Sequence, residues 1–464
     1  MHENHSGPSV PLALLKRFDV SGPRYTSYPT ADRFVEAFNA QTYADWVRKR
    51  MIAGQPRALS LYVHLPFCES ICYYCACNKV ITKDHGRSAK YVKHLLKESA
   101  LVSDLLHGAR GVVQMHWGGG TPNFLNRAEM TDLAQGIREH FRFDPRGEYS
   151  IEVDPRRIGE GDVAAFASLG FNRISLGVQD FDPAVQRAVN RLQSEEQTLG
   201  VMQAARAAGF KSVNVDLIYG LPKQNVIGFN RTLEKVIEAS PDRIALYNYA
   251  HLPTVFKPQR RIAESDLPSA EVKLQLLSLA IRRLGDAGYA YIGMDHFARP
   301  DDELAVAQRQ GRLHRNFQGY STHADCDLLG FGISAIGQVG PTYSQNVKTL
   351  DEYYDRLAQD QLPVMRGVEL TPDDLVRRAL IQCLMCQFQV PIESLEIAHL
   401  IDFRKYFAQE IKDLAPLREA GLVTLDAQWL TVTPVGRFFV RNICMVFDRY
   451  LREGRERAQY SKVV

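Results

Sequence analysis

No run of about 20 apolar residues, the length a membrane-crossing helix requires, occurs in this 464-residue chain. Charge of one sign is not in excess either. The 56 Lys and Arg meet 53 Asp and Glu, a formal +3 with the histidines neutral, so composition makes no case for nucleic acid or an acidic membrane surface as partner. Repeats and low-complexity tracts are missing as well. The opening "SVPLALLKRFDV" (9–20) is too short, and too interrupted by Pro11, Lys16 and Arg17, to read as a signal peptide. A cytoplasmic protein is expected, and a monomer, since no exposed heptad pattern demands assembly. Cysteine is scarce, eight in the whole chain, and its distribution is uneven.

What is present is the composition of an ordinary globular protein, 45% hydrophobic and 23% charged. The length suits one large domain and a smaller one. From about residue 58, β-rich apolar runs alternate with charged amphipathic segments, the pattern of a parallel sheet with crossover helices. Strands are predicted over 58–67, 112–119, 149–154, 173–179, 212–220, 243–252 and 289–297. Helical candidates include 88–106 and a long segment over 184–209. Such βα units build an open doubly wound sheet or a barrel, and both place ligands at the C-terminal ends of the strands. The polar residues gather there. "GGGTP" (118–122) follows the second strand, Glu152 and Asp154 close the third, Gln179 and Asp180 close the fourth, and Asp216 lies near the end of the fifth. Beyond residue 366 the pattern turns mostly helical, with a winged-helix outline that lacks a basic recognition helix.

Half the cysteines, Cys68, Cys72, Cys75 and Cys77, fall within "CESICYYCAC". In a reducing compartment clustered thiols point to a metal or to catalysis rather than to disulfides. Three thiolates at CxxxCxxC can hold three corners of a [4Fe–4S] cubane and leave the fourth iron open to a substrate or cofactor. Structural zinc is the competing reading, with Cys77 completing a closed set of four, although zinc usually takes two separated pairs. Cys326, Cys383, Cys386 and Cys444 have apolar neighbours, and the CxxC of "LIQCLMCQF" reads as buried thiols on an apolar helix.

"CESICYYC" after a strand, with "GGGTP" one βα unit later, resembles the radical S-adenosylmethionine superfamily. The ordered series "PRYTSYPTA" (23–31), "PFCESICYYCACNK", "GGGTP", "SIEVDP", "FNRISLGVQDFD", "VNVDLIYGLP", "NYAHLP", "LHRNFQGY" and "DLLGFGISAIG" is similar, within it, to the oxygen-independent coproporphyrinogen III oxidases. The resemblance implies an α/β fold: a partial (β/α)6-type, TIM-like barrel over 56–365. An N-terminal extension (1–55) would contribute to the substrate site, and a mainly α-helical, winged-helix-like domain would occupy 366–464.

It also implies the chemistry. Cys68, Cys72 and Cys75 would bind the [4Fe–4S] cluster, with Cys77 needed for activity rather than as a ligand and Tyr62 and Glu152 acting beside it. Two S-adenosylmethionine molecules are implied. Tyr62, Gly119, Glu152 and Ile336 would meet the cluster-bound one, and Tyr74, Gly120, Thr121, Gln179, Arg191, Asp216 and Ala250 the second. The reaction would convert the propionates on rings A and B of coproporphyrinogen III to the vinyls of protoporphyrinogen IX in haem synthesis, through a 5′-deoxyadenosyl radical. A low-potential electron donor such as a flavodoxin is implied, because the electron must arrive near the negative end of the roughly −700 to +450 mV span of iron–sulfur clusters. Arg24 and Arg315 are the cations expected to meet the substrate carboxylates.

Each assignment has a structural counterpart. Glu152, Asp154 and Asp216 could be helix caps, Arg191 could pair on a helix with Glu195 or Glu196, Tyr62 could be core, and Arg24 and Arg315 could serve structural ion pairs. The rival function is that of the radical-S-adenosylmethionine-like haem chaperones. These typically carry phenylalanine in place of Cys77 and lack the "PRYTSYPTA" block. "STHADCDLLG" (321–330) departs from the oxidase form at His323, Ala324 and Cys326.

Overall fold

The computed structural model describes residues 10–52, 57–106, 111–324 and 326–454. Residues 1–9, 53–56, 107–110, 325 and 455–464, which fall within segments discussed above, lie outside them. Twelve strands form one mixed sheet. In chain order they are β1 (Leu59–Leu65), β2 (Gly111–Gly119), β3 (Arg142–Val153), β4 (Arg173–Gln179), β5 (Ser212–Tyr219) and β6 (Arg243–Asn248). There follow β7 (Ala290–Gly293), β8 (His296–Ala298), β9 (Asp327–Phe331), β10 (Ile336–Val339), β11 (Thr342–Asn346) and β12 (Val364–Glu369). The order across the sheet is β12-β11-β10-β9-β1-β2-β3-β4-β5-β6-β8-β7.

β1 to β6 are mutually parallel, and β9 joins the other side of β1 in parallel. These strands are the barrel. Antiparallel strands extend both edges, β10 to β12 on one and β8 with β7 on the other. The sheet therefore does not close, and the expected partial barrel stands.

Period-two alternation decides what each face meets. On one face Leu61, Val63, Met115, Trp117, Ile151, Ile174, Leu176, Val213, Val215, Ile244 and Leu246 are buried in a continuous apolar core. Each such side chain contributes about 1.5–3 kcal/mol by leaving water. On the other face stand Ser60, Tyr62, His64, Gln114, His116, Glu148, Ser150, Glu152, Ser175, Asn214, Asp216, Arg243 and Tyr247. A polar lumen of this kind differs from the Val, Ile and Leu filling of an ordinary closed barrel.

Several predicted elements need adjustment. The segment 289–297 is not one strand but the hairpin β7–β8, turned at Met294, whose φ is 52°. β3 begins earlier, at Arg142, and β1 and β6 end earlier than expected. The helix predicted over 184–209 is two, Pro183–Ala188 and Glu195–Ala207. Asn190 takes a left-handed φ of 55°, and Ser194 with Gln197 closes a capping box that starts the second helix. Arg191 thus lies in the break rather than on a helix.

The expected boundary at 365/366 falls inside β12, the edge of the large sheet, and the following helix starts at Pro372. A three-stranded antiparallel sheet (Gln389–Pro391, Val423–Leu425, Trp429–Val432) sits among the C-terminal helices. Cys386 and Cys444 are buried, while Cys326 and Cys383 are partly so. The N-terminal segment is held by this region. Arg441 donates to the carbonyls of Gly22 and Pro23, Tyr25 Oη donates to Asp448 at 3.0 Å, and Asn442 Nδ2 donates to the Phe18 carbonyl at 2.9 Å. Among the described residues no helix is long and apolar enough to cross a membrane.

Glu98 anchors the turn after β9. It is 2% exposed and accepts from Tyr353 Oη at 2.6 Å, the Gly332 N–H at 2.8 Å and Asn346 Nδ2 at 2.7 Å. Burial raises its pKa to about 7 against those three donors. A carboxyl raised in the folded state adds stability that is fully present below the unfolded value, about 4.3, and is lost as pH climbs through the folded one. The melting temperature should therefore fall between pH 4.5 and 7, and a Glu98→Gln variant should show a shallower fall. Equal slopes for both proteins would contradict this.

Candidate active site

The cysteine loop leaves β1 at Leu65 and is fastened at both ends. The Val80 N–H donates to the Pro66 carbonyl at 2.8 Å and the Thr82 N–H to the Cys68 carbonyl at 2.9 Å. Lys79 Nζ donates to the carbonyls of Cys75 (3.0 Å) and Cys77 (3.2 Å). Asn190 Nδ2 reaches the Ile71 carbonyl at 2.7 Å. No disulfide joins the cysteines among the described residues; Cys72 is buried, Cys68 and Cys75 are partly buried, and Cys77 is exposed.

A cavity of about 180 Å³ lies against this loop at the C-terminal ends of the strands. Its walls include Cys68, Cys72, Cys75, Cys77, Tyr74, Gly119, Gly120, Thr121, Glu152, Gln179, Arg191 and Asp216. Twelve residues singled out in the sequence are thus brought to one place. Tyr62, Ala250 and Ile336 stand around it. Tyr62 stacks on His116, ring centroids 5.9 Å apart. The Ala250 carbonyl is tied to that of Tyr74 through Gln259 Nε2, at 3.1 and 3.2 Å. Ile336 heads β10, beside Gly330, the register partner of Tyr62. Arg24 and Arg315 lie away from this cavity. Asp180, which closes β4, turns into the protein and bonds to Thr232 and Gln224.

Glu152 is not a helix cap. Its Oε1 lies 3.0 Å from His116 Nε2, its Oε2 accepts from the Gly119 N–H at 3.3 Å, and its side chain remains 43% exposed to the cavity. Burial works to raise its pKa, but the His116 hydrogen bond and charge, the Gly119 N–H and His64 outweigh it and leave the carboxyl below its ordinary value. His116 is held on its far side by Ser150 Oγ at 2.6 Å. His64 bridges Tyr62 Oη (3.1 Å) and the Asn78 carbonyl (2.9 Å), and burial lowers its pKa.

Asp216 accepts from Ser175 Oγ (3.1 Å) and Asn214 Nδ2 (2.8 Å). Burial, then the Glu152 charge, raises its pKa to about 7. Asp154 does cap a short helical turn, accepting from the Arg156 N–H at 3.1 Å. It is also buried between two guanidinium groups, Arg156 Nη2 at 2.6 Å and Arg191 Nη2 at 3.4 Å, which hold its carboxyl low against burial. Arg191 therefore pairs with Asp154 and not with Glu195 or Glu196. Its Nη2 donates to the Gly177 carbonyl at 2.7 Å.

The chain's sulfurs have donors suited to thiolates. Thr121 Oγ1 lies 3.3 Å from Cys68 Sγ, and Arg191 Nη1 and Arg156 Nη2 lie 3.7 and 4.0 Å from Cys72 Sγ. Hydrogen bonds and positive charge at the sulfurs are what an anionic iron–sulfur cluster requires. Among the described residues no three His, Cys, Asp or Glu side chains converge as ligands of a single metal ion. Arg191 Nε is buried beside the same cavity with no partner among the described residues, a donor left for a ligand. The donor set fits a cluster with an anionic cofactor next to it.

Backbone shape at "GGG" serves the same place. A Cβ on Gly119, whose φ is +109°, would lie 2.4 Å from His64 Nδ1, and one on Gly118 would lie 2.9 Å from Glu152 and His116. Gly119→Ala should cost about 1–3 kcal/mol in backbone strain and displace His64. It should melt below the wild type and bind S-adenosylmethionine more weakly. Wild-type values of both would contradict the packing described.

His116, His64, Arg156, Ser175 and Asn214 were not singled out from the sequence. The signal was there in the alternation of polar residues along each strand, His116 two before Gly118 and Asn214 two before Asp216.

Comparison with known proteins identifies the family of the chain as a whole. The radical SAM superfamily profile matches residues 62–236, and that of the HemN C-terminal domain matches residues 370–439. The chain is 51% identical over 453 residues to an oxygen-independent coproporphyrinogen III oxidase of Pseudomonas aeruginosa, covering 97% of this chain and 98% of that one. It is 49% identical over 454 residues to the protein of that name from Escherichia coli, covering 98% of each. The solved structure of the Escherichia coli coproporphyrinogen III oxidase, described as a radical SAM enzyme, superposes with a TM-score of 0.90 at 48% identity, over 96% of this chain and all of that one. The chain therefore belongs to the oxygen-independent coproporphyrinogen III oxidases of the radical SAM superfamily.

Proposed function

We propose that the enzyme oxidatively decarboxylates the propionates of rings A and B of coproporphyrinogen III, using Cys68, Cys72 and Cys75 to hold a [4Fe–4S] cluster and two S-adenosylmethionine molecules beside it. The observation that carries this reading is the convergence of three thiols, Glu152, Arg191 and Asp216 on one cavity at the strand ends. When bound, the cluster held by Cys68, Cys72 and Cys75 and the cofactor beside it would supply the radical chemistry that removes a hydrogen atom from the propionate β-carbon, with loss of carbon dioxide and of one electron to an acceptor.

The chain's own groups bind and orient. Glu152, held ionised by His116 and Gly119, meets the amino group of the first S-adenosylmethionine, with Tyr62, Gly119 and Ile336 around it. Arg191 offers its free Nε–H to the carboxylate of the second, and Asp216 accepts from a ribose hydroxyl, with Tyr74, Gly120, Thr121, Gln179 and Ala250 completing the wall. Cys77, the exposed thiol of the loop, serves the reaction rather than the cluster. Residues 1–55 contribute Arg24 to the substrate side, the barrel unit runs from 56 through the end of β12 at Glu369, and the helical domain follows. Arg315 meets a substrate carboxylate. The electron comes from a low-potential donor such as a flavodoxin, and the four free thiols of the cysteine loop suit a reducing cytoplasm. The protein acts as a monomer.

Coproporphyrinogen III deuterated at the propionate β-carbons tests the hydrogen transfer. Deuterium in 5′-deoxyadenosine and two S-adenosylmethionine bound per chain are expected. Unlabelled deoxyadenosine, or a stoichiometry of one, would overturn the corresponding part.

A further inference from the structure

A second cavity of about 140 Å³ runs through the polar lumen and shares Glu152, Ser175 and Asp216 with the first. His296 and Tyr320 are among its walls. Among the described residues two basic side chains here hold no acceptor, His296 in the wall of this cavity and Arg315 behind it against the Tyr320 ring. Arg315 is 3% exposed, and its Nε and Nη1 have no hydrogen-bond partner. Only its main chain is engaged, through Gln382. Its guanidinium lies 4.8 Å from the centroid of the Tyr320 ring. His296 meets the same ring edge-on at 5.3 Å, and its Nδ1 is buried and unpartnered. Burial, then Arg315, Arg24 and Arg243, keeps this imidazole neutral.

The neighbouring arginines are already matched. Arg24 forms an ion pair with Asp295, and Arg441 donates to the carbonyls of Gly22 and Pro23. A dry guanidinium with idle N–H groups is an incomplete site, and an anion completes it.

We propose that Arg315 and His296 form the seat of one substrate carboxylate, Arg315 supplying the charged donors and His296 a neutral N–H. Arg24, bound to Asp295, shapes the wall beside it. This rests on coproporphyrinogen III being the substrate, and it separates two arginines that the sequence presents as equals. A carboxylate seated against His296 shares its lumen with Glu152 and Asp216, which also line the cofactor cavity, so the rest of its propionate arm can reach that cavity.

The test compares equilibrium binding of coproporphyrin III and its tetramethyl ester to the anaerobic holoenzyme, by porphyrin fluorescence. Arg315→Gln should weaken the free acid by about tenfold or more and leave the ester nearly unchanged, and Arg315→Lys should restore part of the loss. His296→Phe should weaken the acid less, and His296→Gln, which keeps a neutral N–H, should bind as the wild type does. Acid and ester weakened alike, or an Arg315→Gln variant binding the acid normally, would overturn the inference and leave the substrate reading standing. A wild type that binds neither porphyrin would overturn the substrate reading itself.

Discussion

Replacing Cys68, Cys72 or Cys75 singly by Ser should abolish 5′-deoxyadenosine formation and the visible absorption of the reconstituted cluster. On the proposed function each of the three would be one corner of a site with an open fourth iron, so no neighbouring sulfur would make good the loss without giving up its own role. Cys77 is the informative contrast. It is exposed and its backbone carbonyl is held by Lys79, whereas Cys72 is buried with two guanidinium groups at its sulfur. Cys77→Ser should keep full iron content and lose about 10–100-fold in turnover, the range for groups that support a metal site from outside it. Iron loss in Cys77→Ser equal to that in Cys75→Ser would make Cys77 a ligand and revive the four-sulfur reading.

Arg191→Ala should unfold about 3 kcal/mol more easily than the wild type, because removing one partner from a buried ion pair leaves the other charge less well matched. Arg156 stays beside Asp154, which holds the cost toward the lower end of the usual range. Binding should fall with stability, since Arg191 also meets Gly177 and Cys72 and carries the free Nε–H. Arg191→Lys keeps the charge without the planar fork and should recover part of the stability but little of the S-adenosylmethionine binding. Denaturant unfolding and equilibrium dialysis separate the two effects. An Ala variant as stable as the wild type would show that Asp154 needs Arg156 alone.

The strand ends were legible because side-chain period and glycine punctuation are local properties. β4 was read to the residue, and the loop, "GGGTP", Glu152 and Asp216 were placed on consecutive strands whose parallel pairing then brought them together. The break before Glu195 was not legible as such. Residues 184–209 keep helical periodicity across it, and the left-handed Asn190 and the Ser194 cap interrupt the helix while Arg191 turns inward to Asp154. The hairpin β7–β8 was missed for a similar reason, since its turn at Met294 uses a residue that does not mark turns. Arg24 and Arg315 could not be told apart, because Asp295 lies 271 residues from the arginine it neutralises. His323, one of the departures at 321–330, stands 3.4 Å from Glu148 and close to Arg173, at the lumen floor rather than at the cofactor cavity.

The central claim is that one cavity couples S-adenosylmethionine cleavage to porphyrinogen decarboxylation. It is tested most directly by reconstituting the cluster anaerobically, reducing it, adding S-adenosylmethionine and coproporphyrinogen III, and quantifying protoporphyrinogen IX beside 5′-deoxyadenosine. Formation of both, in fixed proportion and lost together in Cys68→Ser, is the predicted result. Deoxyadenosine without decarboxylated porphyrin, or neither product from a protein that retains haem, would contradict it.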